Sequence, residues 1–167
     1  MIETALINEG WPDATDWEAL AASAVSAAIA ATPHAELAHI GADVEIAVRL
    51  TADAEVRTLN RDYRHKDKPT NVLSFPMVQP DLIDGLANSD DGEILLGDIV
   101  LARETCEREA KERAVEVSAH AAHLIVHGTL HLLGYDHMRD DEAEAMEALE
   151  RQIMAGLGLH DPYTVED

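Results

Sequence analysis

Apolar residues fall on alternate positions at Val44, Ile46, Val48 and Leu50, with Glu45, Ala47 and Arg49 between them, the period-two pattern of a strand with one buried face. A shorter, partly alternating run over residues 2–8 predicts an earlier strand, and Asn71-Val72-Leu73-Ser74-Phe75, closed by Pro76, a later one. From Glu93 to Ala102 apolar residues occupy both parities around Gly97-Asp98, as in a strand covered on both faces. Thr15-Asp16-Trp17-Glu18 reads as a capping box with Thr15 as N-cap, opening a helix that can bury Leu20, Val25 and Ile29 and stops at Pro33. Thr51 is expected to cap a second helix with Val56, Leu59 and Tyr63 inward and Arg57, Arg61 and Arg64 near its outer face or end. Residues 77–92 lose the pattern and gather Pro, Gly, Asn and Asp, which predicts an exposed, mobile acidic loop. A strongly charged helix over 103–113 follows, then the most hydrophobic helix of the chain over about 115–133, expected at the centre. Asp140 or Asp141 caps a last helix with Ala143, Met146, Leu149 and Ile153 inward, ended by Gly156 or Gly158.

The 167 residues suffice for one domain over 1–167 with a real core. With 47% hydrophobic but only 4% aromatic residues, that core must be built from Ala, Leu, Val and Ile. Glu3, Glu9, Asp13 and Asp16 precede the Ala-rich stretch 19–31, so no basic region announces an export signal, and the stretch is too short and serine-interrupted to span a bilayer. One cysteine, Cys106, fits the cytosol and excludes a cysteine-based structural metal site. A formal net charge of -21 argues against general affinity for nucleic acid, DNA included. Locally the sign reverses: Arg57, Arg61, Arg64, Lys66 and Lys68 are opposed only by Asp62 and Asp67, leaving that window at +3. The bland alternative is a solvated helix face and loop.

Candidate chemistry concentrates in His127-Gly128-Thr129-Leu130-His131-Leu132-Leu133-Gly134-Tyr135-Asp136-His137. Two histidines four residues apart share a helix face, Gly134 can end the helix in a left-handed conformation, and the returning chain brings in His137 as a third ligand. Three imidazoles with an open position hold a catalytic zinc; nickel, copper and cobalt suit the same set. His120 and His123 continue the stripe as supporting groups, buried hydrogen-bond donors or substitute ligands, the first two being favoured. The spacing is also that of the metzincin peptidases, but Gly128 stands where those enzymes carry the general-base glutamate, which disfavours peptide hydrolysis. Phosphodiester cleavage suits the basic patch, with Arg64 the best candidate for a fork on the non-bridging oxygens if the patch lies beside the metal.

The segment HGTLHLLGYDH resembles the signature HGxLHLxGYDH of the YbeY family of bacterial metallo-endoribonucleases at every fixed position. Residues 59–76, Leu96-Gly97-Asp98-Ile99-Val100 and the acidic start of the last helix (Asp140-Asp141-Glu142-Ala143-Glu144) are similar to further blocks of that family, so the resemblance covers roughly 44–163. It implies one α/β (α+β) domain with a mixed sheet of about four strands beside the histidine-bearing helix. It also implies a zinc-dependent, single-strand-specific endoribonuclease, cytoplasmic and binding one Zn2+ ion. The implied role is in 3′-end maturation of small-subunit ribosomal RNA and ribosome quality control, with the ribosome, small-subunit proteins or assembly factors as partners. Carried over by position, His127, His131 and His137 would hold the zinc, Arg64 would be the functional arginine, Asp98 a contact or turn residue, and Asp136 could orient a ligand imidazole. Two alternatives stay open: a metallohydrolase of another class, and a non-catalytic ribosome assembly factor with a structural zinc.

Overall fold

The computed structural model describes residues 1–88, 92–136 and 138–163. Its elements run β1 (Ile2–Asn8), α1 (Trp17–Ala30), β2 (Asp43–Thr51), α2 (Asp53–Arg64), β3 (Val72–Pro76), β4 (Glu93–Ala102), α3 (Arg103–Glu112), α4 (Val117–Leu132) and α5 (Asp140–Gly156). The strands form one mixed sheet in the order β1-β2-β4-β3. The first three of these lie parallel and β3 closes the edge antiparallel to β4, pairing Phe75 with Asp98. The expected α/β domain with four strands is therefore present.

Burial follows the sequence pattern most closely in β2, where Val44, Ile46, Val48 and Leu50 are all fully buried. They face a core shared with Val25 and Ile29 of α1, Leu124, Ile125 and Leu130 of α4, and Met146 and Ile153 of α5. The opposite face is covered over β3 and β4 by α2, through Val56, Leu73, Val100 and Ala102. That double cover explains why β4 is apolar on both parities. No helix among the described residues is long and apolar enough to cross a membrane.

The boundaries correct the sequence reading in several places. Asp16, not Thr15, caps α1, its carboxylate accepting the Ala19 N–H at 3.1 Å. A charged acceptor suits the positive end of the helix dipole better than a hydroxyl. Thr51 stays in β2 and is buried; Asp53, in the first turn of α2, instead accepts from the Thr105 N–H and hydroxyl at 3.0 and 2.8 Å, tying α2 to α3. The residue before α5 is Arg139, which makes no capping hydrogen bond, and Asp140 and Asp141 are already inside the first turn, where their charge favours the helix and Asp141 accepts the Glu142 N–H at 3.0 Å. Tyr63 is 69% exposed rather than inward, its ring edge-on to Phe75. The expected mobile loop contains a 3-10 helix, Pro80–Asn88, whose Ile83 is buried in the main core. Apolar anchoring was hidden there among turn-forming residues, and residues 89–91 of that expectation lie outside the described residues.

Helix α4 is central, as expected, and it lies unusually close to the sheet. A Cβ on Gly128 would stand 2.9 Å from Ile99 Cγ2, and one on Gly97 2.6 Å from both Leu132 Cδ2 and the Phe75 carbonyl oxygen. The helix ends as the glycine predicted. Gly134 has φ +101, its N–H bonds the His131 carbonyl, and the Tyr135 N–H bonds the Leu130 carbonyl, both at 3.0 Å. This Schellman end turns the chain back across the mouth of a cleft.

Candidate metal centre

The last two turns of α4 place His127 and His131 at that cleft, a space of about 660 Å³. Its other walls are Asn60 and Arg64 of α2, the loop residues Lys66, Lys68, Thr70 and Asn71, the α4-facing side of β3, and Tyr135 and Asp136 beyond the helix end. Arg64 is the last residue of α2, and the following His65 takes a left-handed conformation (φ 59) that bends the chain into the basic loop. Asn60, nearly buried, holds that loop by donating to the Lys68 carbonyl at 2.8 Å. Of the five basic residues in the window, Arg57 pairs with Asp67 and Arg61 with Asp62, both on the surface, while Arg64, Lys66 and Lys68 line the cleft.

The Nε2 atoms of His127 and His131 converge to 3.1 Å. Two ligand nitrogens on one tetrahedral ion at about 2.0–2.1 Å each would stand roughly 3.3 Å apart, so the pair fits a shared ion. The proton arrangement fits as well. Glu150 Oε1 accepts from Nδ1 of His127, which leaves the lone pair on Nε2, the nitrogen facing His131. Glu150 is fully buried on α5, and its second oxygen accepts from the Tyr163 hydroxyl. Burial alone would raise this carboxyl; the His123 and His127 imidazoles and the Tyr163 hydroxyl outweigh it and hold the group at about 2. Burial and the Glu150 hydrogen bond push Tyr163 well above the usual phenol range.

The remaining histidines of the stripe differ. His120 is fully buried, and its Nε2 lies 2.9 Å from Glu109 Oε1, which also accepts from Asn71 Nδ2 at 3.0 Å. It is the buried hydrogen-bonding group expected of it, tying α4 to α3. His123 is 5% exposed, its ring nitrogens make no hydrogen bond among the described residues, and its Nε2 lies 3.7 Å from Glu150 Oε1. His123, His127 and Glu150 each offer a ligand atom within 4.8 Å of the others, a group that could hold a metal ion. His137 lies outside the described residues, directly after cleft-lining Asp136.

Asp98 is not in this cleft. It lines a separate cavity on the opposite sheet face with Arg49, Tyr63 and Phe75. Glu150 and Tyr163 went unnoticed in the sequence. A signal for Glu150 existed: it stands four residues after Met146 and three before Ile153, a charge inside the apolar stripe of α5.

The family model for Endoribonuclease YbeY matches residues 12–158. Among curated relatives, the Endoribonuclease YbeY of Sphingopyxis alaskensis is 68% identical over 157 residues, 94% of each chain. That of Rhizorhabdus wittichii is 63% identical over 168 residues, covering 100% of this chain and 99% of the relative. The solution structure of TM1509 from Thermotoga maritima shares the fold at a TM-score of 0.54 and 22% identity, covering 97% of this chain and 99% of the other. A four-stranded mixed sheet carrying a histidine helix at a basic cleft, matched along nearly its whole length by these relatives, places this chain in the YbeY endoribonuclease family.

Proposed function

We propose that this protein is a zinc-dependent endoribonuclease of the cytoplasm that cuts single-stranded RNA in the cleft between α4 and the α2–β3 loop. Its task in this reading is 3′-end maturation of small-subunit ribosomal RNA and ribosome quality control, with the ribosome or its assembly factors presenting the substrate. Support comes from one juxtaposition: Arg64, Lys66 and Lys68 share a single cleft with the converging Nε2 atoms of His127 and His131. His127, His131 and His137 would hold the ion. When bound, it supplies Lewis-acid polarisation of a phosphoryl oxygen or of water. Arg64 offers a planar fork to two non-bridging oxygens as they gain charge, and Lys66 and Lys68 hold the flanking phosphates. Asn60 ties the loop that carries both lysines back to α2. The net charge of -21 confines RNA to this cleft, so binding by the isolated protein is weak and falls with salt.

Peptide hydrolysis is disfavoured on steric as well as chemical grounds. A side chain at 128 would meet Ile99 at 2.9 Å, so the metzincin glutamate would have to displace it. A structural ion among His123, His127 and Glu150 is the second reading, favoured by the burial of that group. The test is cleavage of a single-stranded RNA spanning the precursor 3′ end of small-subunit ribosomal RNA, with bound metal quantified. Wild type should cut; Arg64→Glu should keep its metal and lose at least about a hundredfold in cleavage; His131→Ala should lose both. Equal cleavage by all three would defeat the proposal. Metal retained by His131→Ala would favour the structural ion.

A further inference from the structure

Glu150 is a fully buried carboxylate twenty-three residues from His127, and the cost of burying it demands partners for both oxygens. It has them: Oε1 takes the His127 Nδ1–H and Oε2 the Tyr163 hydroxyl. Tyr163 belongs to the tail that follows α5, and that tail is fastened in place. Arg113 donates to the Pro162 carbonyl at 3.2 Å, and Asp161 Oδ1 accepts from the Tyr163 N–H at 2.8 Å and from Arg151 at 3.3 Å. The Arg151 guanidinium stands 5.5 Å from the Tyr163 ring centroid, and the His123 ring meets the same ring edge-on at 5.6 Å.

The two nitrogens of an imidazole point to opposite sides of the ring. An ion shared by Nε2 of His127 and Nε2 of His131 is therefore separated from Glu150 by the whole His127 ring, since Glu150 sits on Nδ1. From this geometry we infer that Glu150 and Tyr163 form a brace behind the metal centre, with Glu150 a positioning residue rather than a ligand and the C-terminal tail a part of the metal site. The brace fixes the His127 tautomer and ring angle, and the Tyr163 hydroxyl fixes the carboxylate that does so. This rests on the proposal that His127 and His131 hold the ion.

The test uses full-length, metal-free protein titrated with Co2+ against a competing chelator, with folding of each variant checked by circular dichroism. Glu150→Gln should weaken Co2+ binding by about 10–100-fold, and Tyr163→Phe, which removes only the hydroxyl, by a smaller factor. At saturation both should show the wild-type visible absorption bands of bound Co2+, because the ligand set is unchanged. A changed spectrum in Glu150→Gln would make the carboxylate a ligand and overturn the inference. So would wild-type affinity in both variants. His131→Ala separates the two levels. If it loses Co2+ while both brace variants bind as wild type, only the brace fails; if it binds as wild type, the proposed metal centre fails with it.

Discussion

His120 and His127 stand two helical turns apart on one stripe of α4, and each meets a carboxylate from another helix, yet they do opposite things. At His120 the carboxylate is Glu109 of α3 and takes Nε2, leaving Nδ1 in a buried surround without a hydrogen-bond partner among the described residues. At His127 it is Glu150 of α5 and takes Nδ1, leaving Nε2 to face His131 one turn further along the same helix, at the cleft. The His120 side chain is 1% exposed and that of His127 is 22% exposed. The lesson is that helical spacing makes two such histidines equivalent, and the neighbouring elements then decide which is a buried strut and which opens onto the cleft. The nitrogen a carboxylate occupies matters as much as the residue itself.

The sharpest break of this comparison is a pair of truncations. His127→Ala should reduce bound metal to near zero, measured by elemental analysis of purified protein, whereas His120→Ala should keep the wild-type metal content. The cost at His120 should appear in stability instead, at about 2–4 kcal/mol in urea unfolding, from the cavity and the lost Glu109 bond. Metal loss in both would erase the distinction. A smaller effect is expected from Gly128→Ala, whose methyl must push Ile99 aside: about 1–3 kcal/mol of stability and a displaced His127, read as weaker Co2+ binding. Glu109→Gln, which keeps an acceptor for His120, should cost only about 1 kcal/mol.

The mildest test is acid. Burial pushes His120 below its ordinary value of 6.5, against the hydrogen bond and charge of Glu109. Glu109 itself sits below its ordinary 4.5: burial raises it, and the bonds from His120 and Asn71 more than offset that. As pH falls below 6.5 the unfolded chain protonates His120 before the folded one does, so stability declines. The contribution of Glu109 is present above 4.5 and is lost as pH drops below it. Urea midpoints measured from pH 7 to pH 4 should therefore fall, and His120→Gln should flatten the upper part of that curve. A wild-type midpoint that rises on acidification would contradict the neutral, buried His120.

Where a residue's fate depends on its own neighbours along the chain, the sequence alone determined it. The period-two run of β2, the apolar length of α4 and the left-handed stop at Gly134 follow from local pattern and backbone sterics, and all three stand in the structure. So does the cation excess of the 57–68 window, which is a matter of composition. The helix caps were misplaced by a residue or two because several polar side chains compete at each end: Asp16 took the local Ala19 N–H, and Asp53 was drawn away to Thr105 of α3. Three things only the tertiary structure decided. Folding β3 onto the sheet edge beside α4 put Arg64, Lys66 and Lys68 next to His127 and His131, across about sixty residues of chain. Packing α5 against α4 brought the buried Glu150 to Nδ1 of His127 and the tail's Tyr163 to Glu150. Packing α3 against α4 set Glu109 on the buried His120, while His127 stayed at the cleft, because burial belongs to the assembled layers, and no periodicity along a single helix records what will cover it.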